Sequence, residues 1–114
     1  MSKIVLLGLV PSKKNSRINT RSGMSFPSKK YTEWHKSAVL QLKGVEKIPQ
    51  KTPLVFKYYS DSMRSGDLSN KWQSIEDTFT DCGIIEDDNW FILPDIHMKF
   101  MGVDKENPRA EIEY

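Results

Sequence analysis

From Leu68 to Cys82 the chain reads Leu-Ser-Asn-Lys-Trp-Gln-Ser-Ile-Glu-Asp-Thr-Phe-Thr-Asp-Cys. At about 100° per residue, Leu68, Trp72, Ile75, Phe79 and Cys82 fall on one side of a helix. Asn70, Ser74, Asp77 and Asp81 fall on the opposite side. A helix divided in this way presses its apolar side on a core and turns the other outward. Asp67 stands just before it, where an aspartate is a good N-cap, and Gly83 just after it is a natural stop. The rest of the chain must supply the surface that this helix covers.

Short runs of branched and aromatic residues supply it. Lys3–Val10 predicts a buried strand, ended by Pro11, and Pro53–Ser60 a second. Asp95–Met101 and Arg109–Tyr114 predict two more. In the last, Ala110, Ile112 and Tyr114 alternate with Glu111 and Glu113, so one face is expected to meet water. Tyr31, Trp34, Ala38 and Leu42 recur at helical spacing, predicting a helix over Thr32–Gly44. Residues 11–30 read as a long basic loop or loose hairpin. A turn with Pro49 spans 47–52, a loop spans 61–66, and an acidic turn spans 84–90. The order β-loop-α-β-α-β-β predicts one α+β domain over residues 1–114, a small mixed sheet packed with two main helices.

At 114 residues there is room for one core, and 38% apolar content is too high for a disordered chain. The longest apolar run, Ile4–Val10, falls far short of the roughly 20 residues of a membrane span, and no cleavage-site pattern follows it. Cys82 is the one cysteine, which excludes an internal disulfide and a cysteine-based zinc cluster. The expectation is a cytoplasmic protein with no membrane association and no small-molecule cofactor.

Charge is divided along the chain. Residues 1–51 hold eleven Lys/Arg and two acids, whereas residues 52–114 hold six and thirteen. Asp61, Asp67, Glu76, Asp77, Asp81, Glu86, Asp87 and Asp88 crowd one stretch, opposed there by Arg64 and Lys71. Such crowding is costly unless a cation or a function maintains it. An acidic helix stripe alone is more often solvated surface, and a basic loop alone can serve solubility. Carboxylates converging from two elements, however, are how proteins hold Mg²⁺ or Mn²⁺. His35 reads as a helix-surface residue and His97 as a strand residue, neither as a ligand. A hard divalent metal beside a basic loop suggests a phosphodiester substrate. Lys13, Lys14, Arg17, Arg21, Lys29 and Lys30 would neutralise backbone phosphates, with Asn15 and Ser16 adding hydrogen bonds.

Two stretches carry a family resemblance. Val10-Pro11-Ser12-Lys13-Lys14-Asn15-Ser16-Arg17 is similar to the Pro-Ser-x-Asn segment after the first strand of RusA-type Holliday junction resolvases, small endonucleases common in phages and prophages. Residues 66–90, GDLSNKWQSIEDTFTDCGIIEDDNW, resemble that family's Asp-Leu-x-Asn helix start, later helical Asp, Gly turn and paired Asp-Asp. The resemblance implies a homodimer that binds branched DNA, the four-way junction, and cuts two opposing strands in a divalent-metal-dependent reaction. It implies Asp67 and Asp88, with Asp87 beside it, as the ligands of Mg²⁺ or Mn²⁺. The chain departs at Ser69, where studied members carry a second essential Asp, and at Gln73, where they carry a functional Lys. Lys71 is a candidate substitute for that lysine, and Asp77 for the carboxylate. Asp77 and Asn70 are assigned supporting roles. Ten residues of helix separate Asp67 from Asp77 by about 15 Å, so Asp77 would serve a metal held mainly by the Asp87–Asp88 turn, or anchor that turn. The alternative is a branched-DNA-binding protein that kept the fold without cutting, and a third reading is a partner-binding protein.

Overall fold

The structure, a computed structural model, describes residues 2–12, 17–19, 25–64 and 66–114. Its elements run β1 (Lys3–Leu7), β2 (Arg17–Asn19), β3 (Ser25–Pro27), α1 (Lys29–Gln41), β4 (Leu54–Ser60), α2 (Leu68–Asp81), β5 (Ile96–Val103) and β6 (Arg109–Glu113). The fold is α+β, with a four-stranded mixed sheet in the order β1-β6-β4-β5. β6 lies antiparallel to both β1 and β4, and β4 lies parallel to β5. Parallel neighbours need a long connection, and α2 provides it. β2 and β3 form a separate hairpin inside the segment expected to be loop or loose hairpin.

Alternation along the strands sends one set of side chains into the core. Ile4 faces Ile112, which faces Phe56, and Leu6 faces Ala110, which faces Tyr58. All six are buried. α2 lays Trp72, Ile75 and Phe79 over this surface. The Trp72 ring lies 5.6 Å from Phe56 and 6.3 Å, edge-on, from Phe79. α1 buries Tyr31, Trp34 and Ala38 and touches both α2 and β1. Among the described residues no helix is long and apolar enough to cross a membrane.

The structure corrects four expectations. β1 stops at Leu7 because Gly8, at φ +101°, turns the chain. α1 starts at Lys29 and not Thr32, because the Ser28 side chain accepts a hydrogen bond from the Tyr31 N–H at 3.2 Å and caps it. The acidic face of β6 does not simply meet water. Glu111 is only 8% exposed, roofed by Arg109 at 2.7 Å and Lys3 at 3.4 Å, and the Arg109 guanidinium holds its carboxyl below the ordinary range. Finally, the polar side of α2 is partly buried. Ser74 and Thr78 are fully covered: the Ser74 hydroxyl donates to the Pro11 carbonyl at 2.6 Å, and the Thr78 hydroxyl to the Ser74 carbonyl at 2.9 Å. His35, expected on the helix surface, is only partly exposed, its Nε2 lying 3.7 Å from the exposed Asp81 carboxylate. Its Nδ1 lies 3.0 Å from the Thr78 oxygen, and since that hydroxyl's proton is already given away, Nδ1 carries the shared hydrogen.

Candidate functional site

Gly83, at φ +71°, ends α2 and reverses the chain. The Ile84 N–H then donates to the Phe79 carbonyl at 2.8 Å, and Ile84 and Ile85 are buried. These anchors bring the following acids back alongside the third turn of the helix. There the chain closes tightly on its own side chains. Asp87 Oδ1 accepts from the Asp88 N–H at 2.7 Å, and its Oδ2 from the Asn89 amide at 3.1 Å. Asn89 Oδ1 in turn accepts from the N–H groups of Phe91 and Ile92 at 3.0 and 3.2 Å. Side chains that bond the backbone two residues on fix a turn in this way.

The electrostatics show which acids share this space. Glu76 is half-buried and accepts from the Trp72 indole N–H at 2.9 Å. Burial, then the charges of Asp88, Asp77 and Asp87, push its carboxyl from 4.5 up to about 7, against the opposing pull of that indole hydrogen bond. Asp88 is pushed up by its hydrogen bond with Asp87, by burial and by the charges of Asp87 and Asp77. Asp87 is held down by the Asp88 backbone N–H. Glu76, Asp77, Asp87 and Asp88 thus form one acidic neighbourhood. Sequence reasoning missed Glu76. The signal was available: it lies 40° beyond Trp72 at the margin of the apolar side, four residues after an indole that needs an acceptor.

Asp67 lies elsewhere. It caps α2, its Oδ1 accepting from the Ser69 N–H at 2.9 Å and the Ser69 hydroxyl at 2.7 Å. The acidic turn sits beside Asp77, about 15 Å further along the helix. The set Asp67, Asp87 and Asp88 is therefore not brought together within this chain. Among the described residues no group of three or more His, Cys, Asp or Glu side chains is arranged to hold a metal ion. Asn70 is half-exposed in the first turn of α2. Lys71 Nζ donates to the Val10 carbonyl at 2.7 Å and stands 5.6 Å from the Tyr58 ring centre.

Of the expected DNA-binding residues, Lys13, Lys14, Asn15 and Arg21 lie outside the described residues, and Arg17 opens β2. Lys29 and Lys30 are exposed and begin α1, a first turn that carries no acid, although the helix dipole disfavours cations there. Compared with known proteins, the chain matches no family model and no curated protein.

The raised Glu76 carboxyl has a consequence for stability. Its contribution is fully present below 4.5, where folded and unfolded chains are both protonated, and is lost as pH rises through about 7. Glu76→Gln keeps an acceptor for Trp72 and removes the charge. Thermal unfolding followed by circular dichroism should show the variant gaining on the wild type at pH 8, with the gap closing towards pH 4. A gap independent of pH would assign the titration to another group.

Proposed function

We propose that this protein is a divalent-metal-dependent, structure-selective DNA endonuclease, acting as a homodimer to resolve four-way junctions by paired nicks. The observation that carries the reading is the gathering of Glu76 and Asp77 from α2 with Asp87 and Asp88 from the turn beyond it. Among the described residues no Lys or Arg pairs with Glu76, Asp87 or Asp88, whereas nearby Glu86 pairs with Lys47. Glu76, Asp87 and Asp88, which repel one another with no Lys or Arg partner among the described residues, favour a bound cation.

The donor set suits Mg²⁺ or Mn²⁺, since every member offers hard carboxylate oxygens. Its geometry does not assemble three ligands among the described residues. When bound, such an ion would stabilise charge developing on a phosphodiester. The protein's own part is to hold Asp87 and Asp88 in a fixed turn, to concentrate negative charge for the ion, and to present a basic surface from residues 1–51 to the DNA backbone. The RusA-like residues 66–90 support the same assignment. The dimer finds support in β5, an edge strand of the sheet, which exposes Met101 and Val103, the kind of edge another chain covers.

A second reading is a branched-DNA-binding protein that does not cut. It is favoured by one observation: Asp67 stands apart from Asp87 and Asp88 and is engaged by the Ser69 hydroxyl. Incubation with a synthetic four-way junction decides between them. Nicks in opposing strands that require Mg²⁺ or Mn²⁺ support the endonuclease, and binding without nicks supports the second reading.

A further inference from the structure

Between the exit of β1, the β4–α2 connection and β5 lies a cleft of about 760 Å³. Clefts of roughly 300–1,000 Å³ are the size that small organic ligands occupy. Three cations line it, each from a different element: Lys30 from α1, Arg64 from the β4–α2 connection and Lys71 from α2. None of the three forms an ion pair with a carboxylate among the described residues. Lys71 is half-buried, and its ammonium rests on a carbonyl and a ring face instead. Burial, and then the charge of Lys30, push its amine below the ordinary value, while Asp61 opposes them. Two carboxylates, Asp61 and Asp67, share the lining, so the three cations exceed the anions by one. The balance leaves an excess positive charge around a concave space, which is relieved by an anion.

The walls add a second requirement. Phe100 is 50% exposed and lines the cleft, as does Leu9. An anion with an attached ring system fits these walls better than a bare ion. Lys71 precedes Glu76 by five residues, about 7.5 Å along α2, so a strand seated here leads towards the acidic neighbourhood.

We infer that this cleft is a strand-holding subsite, in which Lys30, Arg64 and Lys71 grip one backbone phosphate of the DNA while Phe100 packs on the attached sugar and base. The inference rests on the endonuclease reading for the identity of the strand. Its chemistry, a phosphate ester, is shared with free nucleotides.

The test measures binding without cutting, in EDTA. Lys30 and Arg64 are exposed, so Lys30→Ala and Arg64→Ala leave the fold intact, and thermal unfolding verifies this. Each is expected to weaken binding of a labelled four-way junction about five- to tenfold and to flatten the dependence of log K on log[salt] by about one unit. Lys71→Arg should retain affinity, and Lys71→Met should lose it. In heteronuclear NMR, thymidine 5′-monophosphate should shift the amides of Gly66, Leu68 and Phe100 in the wild type. Unchanged affinity and slope in the two alanine variants would overturn the cleft assignment and leave the endonuclease reading standing. Shifts with inorganic phosphate or the mononucleotide alone, without an effect of the variants on junction binding, would make the cleft a small-anion site and overturn its role on DNA. Weakened junction binding in the variants of a protein that never nicks would overturn the endonuclease reading and keep the cleft.

Discussion

Asp88→Asn is expected to lower incision of a four-way junction by about 100-fold or more, since a lost cation ligand costs more than the 10- to 100-fold of a lost supporting group. Junction binding should be unchanged or slightly tighter, because one negative charge near the DNA is gone. The substitution tests charge and not folding. Asp88 is exposed, and its backbone N–H, which holds Asp87 Oδ1, is untouched by the substitution. Asp67→Asn is the informative comparison. Asparagine caps a helix about as well as aspartate, so α2 should keep its start. Loss of incision there would tie the Asp67 charge to the reaction. Incision at the wild-type rate would leave Asp67 as a helix cap alone. Denaturing gels of strand-labelled junctions measure cutting, and mobility shifts in EDTA measure binding. Wild-type incision by Asp88→Asn would remove the acidic turn from the account.

Phe79→Ala should cost about 3–5 kcal/mol of folding stability, the range for emptying a fully buried aromatic site. Phe79 has no exposed surface and packs edge-on against Trp72. A typical domain has about 5–15 kcal/mol in all, so the variant should unfold at much lower urea concentration. The damage should reach the acids as well. The Phe79 carbonyl accepts from the Ile84 N–H at 2.8 Å and from Ile85 at 3.4 Å, which seats the turn that carries Asp87 and Asp88. Urea titration followed by circular dichroism gives the number. A loss below about 1 kcal/mol would mean that the helix does not depend on this contact.

The helical period of Leu68, Trp72, Ile75 and Phe79 and the branched strands around it made the α+β arrangement legible before any coordinates. Gly83 marked the reversal that returns the Asp87–Asp88 turn to α2, and helix rise alone indicated that Asp67 and Asp77 lie too far apart to share an ion. Other features depend on partners that no periodicity reveals. Ser74 and Thr78 look like solvent-facing positions, yet they are buried because the Pro11 and Ser74 carbonyls satisfy their hydroxyls. Glu111 alternates like a water-facing residue and is covered because Arg109 and Lys3 fold over it. Glu76 stood undistinguished among its acidic neighbours until Trp72 and the returning turn enclosed it. The cleft is hidden for the same reason, since Lys30, Arg64 and Lys71 meet only once three elements have packed.

The most direct measurement is strand-resolved incision of a synthetic four-way junction by the purified wild-type protein, each arm labelled separately, in Mg²⁺ or Mn²⁺ and in EDTA. The account predicts nicks at symmetric positions in one pair of opposing strands, present with the cation, absent in EDTA, and absent from a linear duplex of the same sequence. A protein that binds the junction tightly but leaves all four strands intact at every cation concentration would contradict it.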